Sequence, residues 1–208
     1  MKIDPSTFEG FNRVLTGVVV PRPIAFVSTI STSGIVNLAP YSFFNAVAYD
    51  PPTIVFSSSL RASTKEKDTL ANIEATGEFV VNIVVDDIAE AMNKTAAEYP
   101  ADVSEFEIAG LTPAPSDKVK APRVAESPVN MECRLVQVVP IGSGDHAHGL
   151  VIGEVIWMHI RDDIIDGHRI NHQALKPVGR LAGNMYCHTA DTYEMVRPVF
   201  DPSKTAIG

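Results

Sequence analysis

The sequence of 208 residues predicts a mostly β protein, an antiparallel barrel carrying a few short helices. Three observations lead there. Segments enriched in β-branched and aromatic residues recur along the chain. Within Asn130–Val138 the residues Met131, Cys133 and Leu135 alternate with Glu132, Arg134 and Gln137, the period of a strand with one buried and one wet face. Helical patterns are confined to two short inserts, too few to alternate with strands as in a doubly wound sheet.

Taken in order, Ile24–Ile30 reads as the first strand. Thr32-Ser33-Gly34 forms a hairpin turn in which Gly34 can take positive φ, and Val36–Ala39 returns. Thr53–Ser58 is a further strand. Asp68 or Thr69 caps a helix running to about Thr76, with Leu70 and Ile73 inward and Gly77 as its stop. Phe79–Val85 is a strand. Asp86 or Asp87 caps a second helix with Ile88, Ala91, Met92 and Thr95 on one side. Tyr99–Pro128 holds Pro100, Pro113, Pro115, Pro122 and Pro128 and is expected to wrap the surface as an ordered excursion. Val129–Val139 and Leu150–Ile160 complete the strands. No linker divides the chain, so one domain is expected, with its core over about residues 11–190 and a tail at 191–208.

Composition narrows the function classes. Apolar residues make up 45% and charged residues 20%, an ordinary globular balance. The net charge of −8 argues against sequence-independent nucleic-acid binding, which needs clustered Lys and Arg, though it leaves room for a local basic pocket. No apolar run is long enough to span a membrane. The start, MKIDPSTFEGF, lacks a basic region ahead of an apolar core, and a cytoplasmic location is the default expectation. Cys133 and Cys187 show no metal spacing and are read as reduced thiols. The sequence contains no GxGxxG after a strand, GxxxxGK[ST], GxSxG or HExxH. Composition and pattern alone leave function open.

More informative is a series of short motifs. Arg22-Pro-Ile-Ala-Phe-Val-Ser-Thr29 is followed by Asn37-Leu-Ala-Pro-Tyr-Ser-Phe-Phe-Asn45, Asp50-Pro-Pro52, Ser57-Ser-Ser59, Lys67-Asp-Thr-Leu-Ala-Asn72 and Gly77-Glu-Phe-Val-Val-Asn82. Glu126-Ser-Pro-Val129, Glu132-Cys-Arg-Leu135 and Gly153-Glu-Val155 continue the series. In order and spacing these resemble the flavin reductase-like, FMN-binding split-barrel family, over roughly residues 11–190. The resemblance implies a Greek-key split β-barrel, bound FMN (or FAD), a homodimer with flavin near the subunit interface, and NAD(P)H as electron donor. A monooxygenase or another redox protein is the implied partner.

The residues themselves agree with such a cofactor. Ser28, Thr29, Ser57, Ser58 and Ser59 put hydroxyl donors at strand ends, where they and backbone N–H groups can surround phosphate oxygens. Lys67, Asp68 and Thr69 open a helix whose N-terminal dipole favours an anion. The alternative is that Asp68 and Thr69 only cap and the serines only decorate strands. In the family, the loop corresponding to Ser42, Phe43, Phe44 and Asn45 lies against the flavin ring; otherwise Phe43 or Phe44 is core. Asn82, inside an apolar strand, must be satisfied if buried, and serves either structure or site.

Two histidines stand near the implied nicotinamide side. Family members often carry Gly-Asp-His ahead of Gly-Glu-Val; here Gly144-Asp145-His146-Ala147-His148 precedes Gly153. His148 has the familiar distance to Gly153, and His146 the familiar Gly-Asp neighbours. The alternatives are a solvated loop or a metal pair. Arg180-Leu-Ala-Gly-Asn-Met-Tyr186 resembles a late family motif of Arg, small residues and an aromatic that returns towards the flavin; Arg180 can contact a ligand phosphate or carboxylate or form an ordinary surface ion pair, and Tyr186 can cover the ring. Trp157 is read as core or dimer interface. Three functions remain: an NAD(P)H:FMN oxidoreductase, a flavoredoxin-like electron carrier using no nicotinamide, and a split barrel that holds another ligand such as haem, or none.

Overall fold

The computed structural model of the chain describes residues 1–59, 68–100, 102–144 and 147–200. Helix α1 (Phe11–Val18) precedes β1 (Ala25–Ile30), β2 (Val36–Tyr41), β3 (Phe44–Tyr49) and β4 (Pro52–Ser59). Then come α2 (Asp68–Thr76), β5 (Glu78–Ile83), α3 (Ala89–Lys94), α4 (Glu105–Ala109), β6 (Pro113–Ala114) and β7 (Arg123–Val124). The long hairpin β8 (Val129–Ile141) and β9 (His148–Ile160) follows, then β10 (Ile165–Asp166), β11 (Arg169–Ile170), α5 (His172–Leu175), β12 (Val178–Arg180) and β13 (Tyr186–His188). No helix among the described residues is long and apolar enough to cross a membrane.

Seven strands form one antiparallel sheet in the order β2-β1-β5-β8-β9-β4-β3. The sheet curls so that its concave side closes on one core, built from Val27, Tyr41, Phe56, Phe79, Met131 and Val151 and plugged by Leu70 and Ile73 of α2. The aromatic stack inside it sets Tyr41 4.9 Å and Phe79 5.6 Å from Phe56, centroid to centroid. Gly153 is dictated by this packing, because a Cβ there would lie 2.4 Å from the Phe79 ring. A second core lies on the convex side of β1, β2 and β5, where Phe26, Leu38 and Val84 meet Met92 of α3 and Phe106 of α4.

The expected strands and the helix after Asp68 are present, with differences at the ends. The β5 strand stops at Ile83, so that Val84 and Val85 turn into the convex-side core. The helix expected after Asp86 begins as a tight turn over Asp86–Ile88 and becomes α-helical at Ala89. Phe44 and Asn45, expected in a loop, open β3, an edge strand whose residues Asn45–Tyr49 are exposed. Trp157 is 44% exposed, with the Lys118 ammonium 4.7 Å from its ring centroid, and so is not part of either core.

The proline-rich excursion is ordered, as expected, and a polar seam on the sheet explains how. The Asn82 amide donates to the Phe26 carbonyl and Ser28 hydroxyl, while its oxygen accepts from the Val124 N–H and the Asn130 amide. Ser28 Oγ donates to the Pro122 carbonyl. The fully buried Glu132 accepts from the backbone N–H groups of Asp117, Lys118 and Val119, and from His159 Nε2 at 2.6 Å. Where the excursion lacks regular structure it cannot satisfy its own backbone. Polar side chains of β1, β5 and β8 do it instead.

Candidate functional site

A cleft of about 790 Å3 opens at one end of the barrel, where the β2–β3 turn, the end of β4 and the start of β9 face α1, α3 and the segment from Arg180 to Tyr186. That size is in the range of small-molecule and cofactor sites. Strand parity decides which serines reach it. Ser57 and Ser59 line the cleft, whereas Ser58 between them turns into the barrel and is buried. Opposite Ser59 in register stands His148, whose Nδ1 lies 3.2 Å from Ser57 Oγ. The Phe43 ring sits between two cationic or polar neighbours, with its centroid 6.3 Å from the His148 ring and 5.9 Å from the Arg22 guanidinium carbon. Farther along, Arg180 lies over the Tyr186 ring at 4.5 Å and donates to both the Tyr186 hydroxyl and the Gly183 carbonyl. Tyr186 in turn donates to Asn93 of α3 at 3.1 Å.

Of the residues singled out from sequence, the cleft brings together Ser42, Phe43, Ser57, Ser59, His148, Arg180 and Tyr186. The side chains of the others point elsewhere, and the reason is visible in each case. Ser28 belongs to the polar seam. Thr29 is buried and accepts from the Asn72 amide. Phe44 packs on the concave-side core, the core alternative raised for this pair. The Asn45 side chain is exposed and accepts from the Ala46 N–H. Thr69 Oγ1 donates to Asn37, whose amide donates to the Glu105 carboxylate. Asp68 lines a separate small hollow with Ser31, Asn72 and Glu105. Burial raises the Glu105 carboxyl above the ordinary range, the N–H of Leu38 and the Asn37 amide opposing it and the Asp68 charge adding to it. Lys67 and His146 lie outside the described residues.

Two residues of the cleft had no role assigned to them from sequence, although Arg22 heads the first motif. Arg22 is 7% exposed, and its guanidinium donates to the carbonyls of Thr16 and Val19, both at 2.6 Å, of Leu181 at 3.0 Å, and to Ser42 Oγ at 3.4 Å. It joins α1, the β2–β3 turn and the late loop into one wall. Burial lowers its pKa from the ordinary arginine value, and the Arg180 charge adds to the effect. Arg13 of α1 is the second, exposed at the rim. Arg22 opens the first motif of the series but carries no assigned role there, and nothing local marks Arg13.

A different cluster, Asp117, Glu132 and His159, brings three potential metal-ligand atoms within 4.8 Å of one another. Both Glu132 oxygens already accept hydrogen bonds, from Asp117 and His159 on one and from Lys118 and Val119 on the other. A carboxylate so saturated serves as an anchor for the excursion rather than as a cation ligand.

Known proteins resemble this chain over most of its length. Residues 17–175 match the profile of the flavin reductase like domain. An uncharacterized protein of Halalkalibacterium halodurans is 40% identical over 209 residues, spanning 98% of this chain and 100% of that protein. The crystal structure of nitrilotriacetate monooxygenase component B from Bacillus cereus superposes with a TM-score of 0.89 at 38% identity, covering 94% of this chain and 98% of that one. The 2-nitrobenzoate 2-nitroreductase of Pseudomonas fluorescens superposes with a TM-score of 0.87 at 34% identity, covering 98% and 100%.

Proposed function

The chain belongs to the flavin reductase-like family, a split-barrel family of flavin-linked oxidoreductases, and from that premise we propose that it is an FMN-dependent NAD(P)H oxidoreductase acting as a homodimer. One observation carries the reading. The cleft gathers hydroxyl, imidazole and guanidinium donors between aromatic walls, in the layout that a flat ring with a polyhydroxyl, phosphorylated tail demands.

The residues fit FMN as follows. Ser57 and Ser59 offer hydroxyls to the ribityl chain and phosphate, at the strand end that leads towards Lys67 and α2. Ser42 and Phe43 line the ring, and Tyr186 covers it from the far wall. Ser28, Thr29, Ser58 and Thr69 have their hydroxyls directed into the interior and are read as structural. A bound flavin supplies the hydride acceptor, so that the protein needs no nucleophile of its own. Its part is to orient the two reactants and exclude water. His148, fixed against Ser57, faces the side from which a nicotinamide would enter. Flavin so reduced would serve an oxygenase partner, as the likeness to a monooxygenase component B suggests.

The dimer has its own support in β3. An edge strand exposed on both faces, with Val47 57% and Tyr49 95% exposed, presents apolar side chains and unpaired backbone that a second copy would cover.

Anaerobic addition of NADH or NADPH to the FMN-loaded protein tests the assignment. Bleaching of the visible flavin band by either donor is expected. Flavin binding without bleaching by either would remove the nicotinamide step and leave an electron carrier; failure to bind FMN would remove the whole reading.

A further inference from the structure

Beyond β13 the chain leaves its own body as an arm. The root of the arm is fixed: Thr189 Oγ1 donates to the Pro177 carbonyl at 2.8 Å, Gln173 Nε2 donates to the Ala190 carbonyl at 3.0 Å, and His188 Nδ1 lies 2.8 Å from Asp86. Past that root every residue from Asp191 to Phe200 is exposed. The backbone there makes neither turn nor bend, so the arm runs on extended. Its composition is nonetheless that of a buried segment. Tyr193, Met195, Val196, Val199 and Phe200 make up five of the ten residues, and each is at least 76% exposed. Single apolar side chains on a surface need no explanation; a run of them marks a contact.

A second surface of the same molecule has the matching deficit. Beside the root lies a groove of about 330 Å3 lined by thirteen residues, of which His172 alone is polar. Ile24, Leu175 and Val178 form part of its wall, with Met131 and Met158, side chains that adapt to an irregular apolar partner. The chain's own arm does not fill it. Thr189 and Ala190 are tied to Pro177 and Gln173 beside the groove, and the residues that follow lack the reversal that would bring them back over it. Extended, residues 191–200 span up to about 35 Å, enough to lie across a neighbouring molecule.

We infer that the arm of one copy lies in the Ile24–Met158–Val178 groove of a second copy, so that two copies exchange arms in a symmetric pair. The inference rests on the homodimer proposed above and gives it a segment and a seat; it does not depend on flavin. The arm lies past residue 175, where the match to the family domain ends, so the tail rather than the domain makes this contact.

The test keeps the full chain. Photoreactive p-benzoylphenylalanine replaces Tyr193, an equal mixture of isotopically light and heavy copies is irradiated, and the joined peptides are read by mass spectrometry. Adducts between a light and a heavy copy are expected, on peptides that carry Ile24, Met158 or Val178. Adducts confined to one copy would mean that the arm folds onto its own body. Adducts between copies but outside the groove would seat it elsewhere, and no adduct at all would leave it in solvent. Each of these three outcomes overturns the inference. Replacing Tyr193 and Met195 together by serine then measures the strength of the contact. Both side chains are almost fully exposed in their own chain, so its melting temperature should stay the same, while the dimer dissociation constant read by sedimentation rises about a hundredfold. An unchanged constant also overturns the inference. A wild-type chain that stays monomeric at every concentration sinks the arm exchange and the homodimer together, whereas FMN binding and bleaching by NAD(P)H decide the flavin reading separately.

Discussion

The polar seam under the excursion and the polar lining of the cleft are made from the same residue types, and the chain treats them oppositely. In the seam, Ser28, Asn82, Asn130 and Glu132 have their hydrogen-bonding capacity taken up by the chain itself. In the cleft, Ser57, Ser59 and Arg13 face open volume. A buried polar group must find a partner. Where the chain supplies that partner, the group stabilises the fold; where it does not, a ligand is the remaining candidate. Residue type therefore says little about role, and the neighbour across the strand says a great deal. This contrast makes opposite predictions for the two regions, stability loss without binding loss in the seam and the reverse in the cleft.

The largest stability effect is expected at Glu132. Burial disfavours its charge, but the Asp117 N–H, the His159 ring and the Lys118 and Val119 N–H groups outweigh burial and hold the carboxyl below its ordinary range. The unfolded chain thus binds the proton more readily. The contribution is present above the ordinary value of 4.5 and is lost as pH falls through the lowered one. Glu132→Gln turns an acceptor into a donor against that same donor set and should cost about 3 kcal/mol at neutral pH. Urea melts across the acid range should also show a shallower pH dependence for the variant. An unaltered midpoint would mean that the excursion is held by something else.

Asn82→Ala comes next. It strands the Val124 N–H and one of the two Asn130 amide hydrogens, removes the side-chain donor to the Phe26 carbonyl, and should cost about 2 kcal/mol, partly relieved by water. Proteolysis between residues 113 and 128 should accelerate, because β7 is tethered through that N–H. FMN affinity of the folded fraction should stay unchanged. A parallel loss of affinity would blur the division between the two regions.

How much of this was legible in the sequence differs in the same way. The curled antiparallel sheet was, because strand periodicity is local: Met131 and Cys133 are buried and Arg134 is exposed, whereas Glu132, expected on the wet face, is fully buried because the excursion covers it. Asn82 announced that it needed partners, though not that Val124, 42 residues away, would be one of them. The strand β3 was missed because Asn45-Ala46-Val47-Ala48-Tyr49 is exposed on both faces and lacks the alternation that burial imposes. At the site, the serine runs were visible but their parity was not: Ser57 and Ser59 face the cleft only because β4 pairs with β9 in the register that sets Ser59 opposite His148. The three arginines come from α1, the segment ahead of β1 and the end of β12, and no short sequence window contains them together. Lys67 and His146 fall outside the described residues, so their assignment stands where the sequence left it.

Ser28→Ala and Ser57→Ala form the sharpest and smallest test, since each removes one hydroxyl from one strand. Ser28→Ala leaves the Pro122 carbonyl and one Asn82 donor without a partner and should cost about 1 kcal/mol of stability, with FMN affinity unchanged. Ser57→Ala removes a hydroxyl whose only described side-chain partner is the His148 ring at the cleft surface, so stability should move by less than about 0.5 kcal/mol. Its effect belongs to the ligand instead. FMN affinity should fall by about fivefold for one lost hydrogen bond. Calorimetric melts and fluorescence titrations on the pair read both axes at once. If Ser57→Ala destabilised the fold as much as Ser28→Ala and left FMN binding untouched, the hydroxyl end of the cleft would be another seam, and the flavin would have to be sought against the other wall.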